Sequence, residues 1–373
     1  MLEDRKRMRF FALDALRGLI LVLMALDHAN HFVAQQHSPG EYWGGPFPIP
    51  SDSLAFLTRL VTHLCAPGFF FLMGAGMMLF ADSRRKMGWR EGAIVGHFLL
   101  RGTILIALQL LVVNRAWELS PGGWGLQIYI GVLFALGSTM ILGSFLLWLK
   151  PKALLALTIV LVLGTELVTP DPGLWDQGFS VLSPLLYLPG SSFELWVNYP
   201  VLPWLGVVTF GMVFGCWLVA DPCKAFRQAL WLGGAFMLAF LLIRIPEGFG
   251  NIRPREGNTW IDFLNLVKYP PSLTFLLATV GVNLILLGLL ARIGDRHQPL
   301  FQPLVVFGGV ALFFYLTHLF LYAALGNLLT PQGAGLLSMS LYWLLGLLIL
   351  YPLCLAYGRF KHRQQANSPL RLF

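Results

Sequence analysis

The stretch LDALRGLILVLMALDHANHF at 13–32 decides the fold class of this sequence. It is as long as the run of about 20 predominantly apolar residues that an α-helix needs to cross a bilayer. A secretory signal peptide has a shorter apolar core and a small-residue cleavage site, whereas this run ends in Asp27, His28 and His31. We therefore expect it to remain in the protein as a first membrane-spanning helix.

The composition of the whole chain also indicates a membrane protein. Of its 373 residues, 57% are hydrophobic and 12% charged, whereas soluble proteins are about 45–50% apolar and about 25% charged. A water-soluble enzyme, a disordered chain and a nucleic-acid-binding protein are therefore disfavoured. The net charge of +8 is typical of basic cytoplasmic loops. The four cysteines form no C-x-x-C pair, so no disulfide framework or zinc site is predicted.

Apolar runs and basic clusters together predict the topology. Ten segments have the character of spanning helices, near 11–33, 56–81, 91–114, 125–149, 153–169, 200–220, 226–245, 272–292, 303–329 and 336–358. Lys and Arg cluster in every second connection, which by the positive-inside rule places both termini in the cytoplasm. We expect an all-α polytopic integral membrane protein of the inner membrane. It forms one transmembrane domain over 1–373, with a cytoplasmic N-terminus at 1–10 and a cytoplasmic tail at 359–373.

Ionisable side chains inside the first helix form a candidate functional stripe. Arg17 and His28 are 11 residues apart, which at about 100° per residue places them on one face. His31 lies near the same face, and the helical rise separates Arg17 from His28 by about 16 Å. Charged groups inside hydrocarbon are costly and usually functional. A snorkelling arginine and histidines wetted at the helix end are the alternative interpretation.

Two further histidines are predicted at a similar depth. His63 lies four residues after Arg59 and four before Pro67, which should kink the second helix and open a cavity beside the imidazole. His318 comes from the ninth helix. Rings from three helices in one layer suit proton transfer, because a neutral imidazole can take a proton from an attacking hydroxyl or amine.

The candidate catalytic residues are His63, His28, Asp27 and His318. Asp27 adjoins His28 in sequence, but neighbours on a helix do not face each other, so we expect Asp27 to pair across helices. Structural packing of each lone histidine remains an alternative. A metal site is a further one, although no HExxH motif supports it.

Basic groups on the two sides suggest two binding regions. On the cytoplasmic side, Arg84, Arg85 and Lys86 of DSRRKMGWR could hold phosphates of a cofactor, although the topology rule alone explains them. Outside, Arg253, Arg255 and Lys268 run against the charge bias and suggest an anionic ligand. The predicted cofactor-binding residues are Arg17, Arg59, Arg84, Arg85 and Lys86, and the predicted substrate-binding residues are Lys268, Tyr269, Arg253 and Arg255.

Several motifs together resemble one family. They are LDALRGLILVLMALDHANHF at 13–32, TRLVTHLCAPGFFFLMGAG at 58–76, YPVLPWLGVVTFGMVFG at 199–215, KYPPSL at 268–273 and FGGVALFFYLTHLFLY at 307–322. The chain resembles the bacterial multi-spanning proteins related to heparan-α-glucosaminide N-acetyltransferase. Arg17 and His28 also match the Arg-x10-His signature of the wider membrane acyltransferases that O-acetylate bacterial sugars. The resemblance implies a ten-helix core, a cytosolic acyl-CoA donor and a glycan-like acceptor on the far side. It points to Arg17, His28 and His63.

The leading hypothesis is therefore a transmembrane acyltransferase. It would move an acetyl or similar group from acetyl-CoA or another acyl-CoA to a hydroxyl or amine of an extracytoplasmic sugar. The expected partners are acyl-CoA, the glycan acceptor and the lipid bilayer, with no nucleic acid and no metal, and a homodimer is left open. The alternative is a proton-coupled transporter or flippase in which the same histidines relay protons.

Overall fold

The protein is a helical bundle with one small sheet. The computed structural model describes residues 2–37, 40–48, 52–120, 128–175, 182–192, 195–294 and 296–364, with side chains from residue 11 onward. The helices are α1 (Leu2–Ala29), α2 (Ser53–Thr62), α3 (Cys65–Lys86), α4 (Glu91–Leu108), α5 (Asn114–Glu118), α6 (Val132–Ser144), α7 (Pro151–Val168), α8 (Leu182–Leu186), α9 (Val201–Ala220), α10 (Pro222–Arg244), α11 (Trp260–Leu264), α12 (Leu273–Leu290), α13 (Gln302–Gly309), α14 (Ala311–Leu329) and α15 (Leu336–Arg363).

Eight helical segments within the described residues are long and apolar enough to cross a membrane. They are Ser53–Lys86, Glu91–Glu118, Pro151–Val168, Val201–Ala220, Pro222–Arg244, Leu273–Leu290, Ala311–Leu329 and Leu336–Arg363. The prediction of an all-α, multi-pass membrane protein is thereby confirmed. Of the other two predicted spans, the one near 11–33 lies in the more polar α1. The one near 125–149 contains the shorter α6, which begins at Val132 and ends at Ser144.

The second predicted span is interrupted beside His63, as expected from Pro67. Helix α2 ends at Thr62 and α3 begins at Cys65, so His63 and Leu64 form the break. Pro67 has no N–H to donate to the carbonyl of His63 four residues earlier, and its ring crowds that carbonyl. The interruption places the His63 ring beside the loop residue Glu41.

The predicted helix near 303–329 is two helices, which corrects that expectation. Helix α13 ends at Gly309, and Val310 leaves the helical conformation with φ −128° and ψ 41° before α14 begins. Gly308 lies against α1 so closely that a Cβ there would collide with the Asp14 carbonyl. Because only glycine allows this contact, α13 crosses α1 at that point, beside Arg17.

The helices form an inner group and a lipid-facing group. The spans of α9, α3 and α12 are mostly buried, whereas those of α7, α10 and α15 are mostly exposed apolar surface. Helix α1 lies inside, packed against α3, α12, α13 and α14. The start of α1 and the end of α15 lie on one side, since Asp14 and Arg359 line a common cavity. We call this the terminal side and the opposite one the far side.

The far side carries the ordered connections. Strands β1 (Ile128–Ile130), β2 (Gly190–Ser192) and β3 (Leu195–Val197) form a sheet of order β1-β3-β2, with β1 parallel and β2 antiparallel to β3. A separate bridge pairs Tyr42 with Tyr269. The Tyr42–Tyr269 bridge holds the loop after α1 against the segment before α12.

Candidate active site

Two imidazoles from different helices meet near the far-side end of α1. His28 Nδ1 lies 2.7 Å from His318 Nε2, and the rings stack with centroids 4.9 Å apart. His318 is fully buried against Phe314, whereas His28 keeps some accessible surface. Of the three histidines predicted to share one layer, His28 and His318 meet, and we call this pair the histidine dyad. The prediction is wrong for His63, whose ring lies against Glu41 and Phe275 instead.

The hydrogen bonds of the dyad define which nitrogen carries each proton. His318 Nδ1 lies 3.0 Å from the Phe314 carbonyl oxygen, so this nitrogen must be the donor. A neutral His318 then accepts at Nε2, and His28 donates from Nδ1. Burial without a carboxylate contact favours neutral rings. The consequence is that His28 presents the lone pair of Nε2, which is the form a general base requires.

The environment of His28 changes just beyond the dyad. The α-helix continues as a π-helical turn over Asn30–Ala34, and such turns are frequent at functional sites. His31 reaches Ser120 Oγ at 3.0 Å, and the rings of both His28 and His31 pack edge-on against Trp117. The His28 and His31 part of the stripe predicted on α1 therefore faces Trp117 of α5, and His31 also reaches Ser120, which follows that helix.

The predicted pairing of Asp27 across helices is confirmed. Arg59 Nη1 donates to the two Asp27 carboxylate oxygens at 2.9 and 3.2 Å, and Thr62 Oγ1 donates to one of them at 3.0 Å. Arg59 also binds Glu41 through two hydrogen bonds of 2.8 Å. His63 Nε2 lies 3.2 Å from the same Glu41 carboxylate. We call Asp27, Glu41, Arg59 and His63 the ionic cluster.

Glu41 is the central acceptor of the ionic cluster, and its side chain is 2% exposed. Burial opposes its ionisation, yet the charges of Arg59 and His63 hold the pKa of the Glu41 carboxyl well below its usual range. The Glu41 carbonyl meanwhile accepts from the backbone N–H groups of Lys268 and Tyr269 at 2.9 and 3.0 Å. One loop residue thus ties the ionic cluster to the segment before α12.

Two of the four predicted substrate-binding residues, Lys268 and Tyr269, lie beside the ionic cluster. Lys268 is buried, with Nζ 5.0 Å from the Tyr269 ring centroid, and Tyr269 contacts Tyr199 through their hydroxyls at 3.2 Å. Arg253 instead donates to the Gly45 carbonyl and pairs with Glu256 in the far-side loops. Arg255 pairs with Glu247 there, and hydrogen bonding to Arg255 lowers the pKa of Glu247.

A deep cavity opens between α1, α3, α4 and α14. Its volume is about 340 Å³, and its wall is mainly apolar, with the cations Arg17, Arg101 and Lys361 among it. The ring of Tyr315 lines it and lies 5.6 Å from that of His318, centroid to centroid. We call this space the narrow cavity. It brings the terminal side to within one aromatic ring of the dyad.

A wider space of about 910 Å³ adjoins the narrow cavity on the terminal side, which we call the vestibule. The two share Phe80, Arg101, Gly309 and Lys361. The charged or titratable residues of the vestibule are Asp14, Arg84, His97, Arg101, Arg359, Lys361 and His362. Both spaces together present five arginine or lysine side chains and one carboxylate among the described residues.

The predicted cofactor-binding residues separate into four places. Arg17 lines the narrow cavity, held by Asp14 at 2.8 Å and by the Gly308 carbonyl at 3.1 Å, and Arg84 lines the vestibule. Arg85 pairs instead with exposed Glu91, and Lys86 with half-buried Asp82. Arg59 is in the ionic cluster near the far side.

Sequence reasoning missed several residues of the site. Arg101 carried a local signal, because it is a charged residue inside an apolar span. His97 and Lys361 line the vestibule from α4 and α15, and their sequence context does not distinguish them from ordinary residues near helix ends. Glu41 had no local signal either, since it lies in a Gly- and Pro-rich loop.

Comparisons with known proteins give the family. The family described as "Heparan-alpha-glucosaminide N-acetyltransferase, catalytic" matches residues 9–244, which is more than half of the chain. Heparan-alpha-glucosaminide N-acetyltransferase of Mus musculus is 31% identical over 131 residues, which are 35% of this chain and 18% of that protein. The protein of that name from Homo sapiens is 30% identical over 145 residues, which are 38% of this chain and 20% of that protein. The matched part of the chain therefore covers about a fifth of the length of each of these two relatives. The region matched by the family contains α1, the ionic cluster and Arg101, so this multi-pass membrane protein belongs to the heparan-alpha-glucosaminide N-acetyltransferase catalytic family.

Proposed function

We propose that the protein transfers an acetyl or similar short acyl group across the membrane. The donor is an acyl-CoA that enters from the terminal side, which is cytoplasmic. The acceptor is a hydroxyl or amine of a sugar on the far side of the inner membrane. The observation that carries the proposal is the histidine dyad, which lies one aromatic ring beyond a cation-lined cavity open toward the terminal side.

The shape of the cavities supports a donor of this chemistry. Coenzyme A has a highly anionic nucleotide end and a long, uncharged pantetheine arm that ends in the thioester. The vestibule has a volume of about 910 Å³ and more charged and titratable side chains, whereas the narrow cavity has a volume of about 340 Å³ and three cations among mainly apolar side chains. The nucleotide therefore fits the vestibule, and the arm fits the narrow cavity with its thioester toward Tyr315 and the dyad.

The dyad supplies the proton transfer that acyl transfer needs. As the acceptor oxygen or nitrogen attacks the thioester carbonyl, His28 Nε2 takes the acceptor's proton, and His318 stabilises the resulting ring by accepting from Nδ1. Collapse of the tetrahedral intermediate breaks the C–S bond. The thiolate of CoA leaves and takes the proton back from His28. General-base catalysis of this kind contributes about 10²–10⁴-fold.

The far side of the dyad suits a polar acceptor. Asp27 and His37 keep accessible surface beside the ionic cluster, and Arg59 Nη1 donates to His37 Nε2 at 3.0 Å. Lys268 and Tyr269 lie in the same region. Charges that are already paired hold these side chains in place, so a sugar can be oriented without rearrangement of the site.

A radiolabel assay tests the proposal. Purified protein in nanodiscs is incubated with acetyl-CoA labelled in the acetyl group and a panel of neutral and amino sugars. The wild type is expected to label at least one sugar, and His28→Gln is expected to lose about 10²–10⁴-fold in kcat. His297→Gln is the matched control, since His297 is an exposed histidine outside both cavities.

Two outcomes would overturn the proposal. Full transfer by a folded His28→Gln protein would remove the dyad from the reaction. A wild type that labels no acceptor, is not stabilised against heat by acetyl-CoA, and moves solutes across proteoliposomes would instead be a transporter.

A further inference from the structure

Arg101 is a cation in an unusual place. It lies ten residues after the first residue of α4, so helical rise puts it about 15 Å from the start of the helix. The segment Glu91–Glu118 around it is long and apolar enough to span a membrane. An arginine at such a depth costs several kcal/mol unless something compensates its charge.

The described part of the protein supplies no such compensation. Arg101 has no hydrogen bond or ion pair there, and its Nε is buried without a partner. The one carboxylate among the described residues that line either cavity is Asp14, which is already bound to Arg17 at 2.8 Å. The positive charge of Arg17 itself acts unfavourably on Arg101.

Arg101 also lies where the two spaces join, because it lines both the vestibule and the narrow cavity. A planar guanidinium with free N–H groups matches two oxygens of a phosphate in a bidentate contact. An anion at this junction would offset the charge of Arg101 and relieve its repulsion with Arg17. The uncharged remainder of the ligand would continue into the apolar cavity.

We propose that Arg101 binds the phosphate at the head of the pantetheine arm of the donor. The site therefore recognises thioesters of phosphopantetheine as a class, and the nucleotide adds binding in the vestibule. This inference rests on the proposed function, because it assigns a residue to the donor of that reaction.

A series of shortened donors tests the assignment. The steady-state kcat/KM is measured with acetyl-CoA, S-acetyl-4′-phosphopantetheine and S-acetylpantetheine, of which the last pair differs by one phosphate. In the wild type, loss of that phosphate is expected to lower kcat/KM by about 10- to 100-fold, the value of a charge-assisted hydrogen-bonded contact. In Arg101→Gln the two donors should agree within about twofold. Arg101→Lys, which keeps the charge but loses the bidentate geometry, should show an intermediate ratio.

A control variant, Arg292→Gln, and a check that each variant folds are needed to interpret the donor ratios. Arg292→Gln removes one exposed cation outside both cavities and should keep the wild-type ratio between the two donors. If Arg101→Gln does not fold, the ratio in Arg101→Lys decides, since an unchanged ratio there contradicts the bidentate contact. A ratio that persists in folded Arg101→Gln would overturn this inference alone. If the wild type used none of the three donors, the proposed function itself would fail.

Discussion

The substitution Glu41→Gln tests whether the ionic cluster is held together by buried charge. Glu41 is 2% exposed at its side chain and Arg59 9%, and two hydrogen bonds of 2.8 Å join them. Glutamine keeps the shape and one acceptor oxygen but removes the negative charge. Breaking a buried pair on one side costs about 3–5 kcal/mol. Asp27 still compensates Arg59 at 2.9 Å, so we expect the low end, about 3 kcal/mol.

A thermal assay in detergent can measure this loss. Cys65 and Cys354 are buried and free, so a thiol-reactive dye reports unfolding as they become accessible. An unfolding entropy of about 2.1 cal/mol/K per residue over 373 residues corresponds to about 1.3 °C per kcal/mol, so Glu41→Gln should lower Tm by roughly 4 °C. The matched control is Glu91→Gln, because Arg85 also binds Glu91 through two hydrogen bonds of 2.7 and 2.9 Å. Glu91 is 51% exposed, and exposed pairs contribute about 0–1 kcal/mol.

The pH dependence of the same difference has a definite sign. The pKa of Glu41 is lowered on folding, so its stabilisation is fully present above the unfolded value of 4.5 and is lost as the pH falls through the folded value. The Tm difference between wild type and Glu41→Gln should therefore be constant from pH 6 to pH 8 and shrink progressively once the pH falls below about 5. Equal Tm losses for Glu41→Gln and Glu91→Gln would refute the reasoning.

Three further predictions concern the dyad, a helix crossing and the donor entrance. His318→Phe removes the acceptor that orients His28 and should lower kcat by about 10²-fold at unchanged KM. His318→Gln can still accept a hydrogen bond and should lower kcat less. Equal losses of kcat in the two variants would contradict the orienting role. Gly308→Ala should destabilise by about 1–3 kcal/mol because its Cβ meets the Asp14 carbonyl, and Gly309→Ala, whose Cβ meets nothing within 4 Å, should keep the wild-type Tm. Arg84→Gln should raise the KM for acetyl-CoA about 3- to 10-fold, whereas Arg85→Gln should leave it unchanged because Arg85 pairs with Glu91 outside the vestibule.

The features that could be predicted from the sequence are those set by the free-energy cost of leaving a single group unpaired or exposed in the membrane. Apolar length predicted ten spans, of which eight correspond to long apolar segments among the described residues. Pro67 interrupts its helix beside His63 because it lacks one hydrogen-bond donor. A carboxylate inside the membrane is stable only when its charge is paired, and Asp27 pairs with Arg59 at 2.9 Å. His28 and His318 met because both are polar rings on apolar helices, and each is the partner that spares the other an unsatisfied hydrogen bond.

The features that sequence could not give depend on contacts between distant segments. Glu41 lies in a loop, and its placement depends on the pairing of Tyr42 with Tyr269, which no periodicity encodes. For the same reason His63 was expected in one layer with the other two histidines, but its ring faces Glu41 and Phe275. Arg101 could be recognised from the sequence as a charged residue inside an apolar span, but only the structure shows that it lines both cavities where they join.

The two sides of the membrane handle charge in opposite ways. In the ionic cluster, Arg59 is compensated by two carboxylates of the chain itself, so this region is built to stay rigid. In the vestibule and narrow cavity, five cations and one carboxylate lie among the described lining residues, and this balance supports the proposal that an anionic donor binds there. In the proposed reaction, the charged nucleotide of acyl-CoA is stabilised on the terminal side, and only the uncharged pantetheine arm and its acyl group extend toward the dyad. The proposed reaction therefore passes the acyl group onward while CoA stays on the side from which it came.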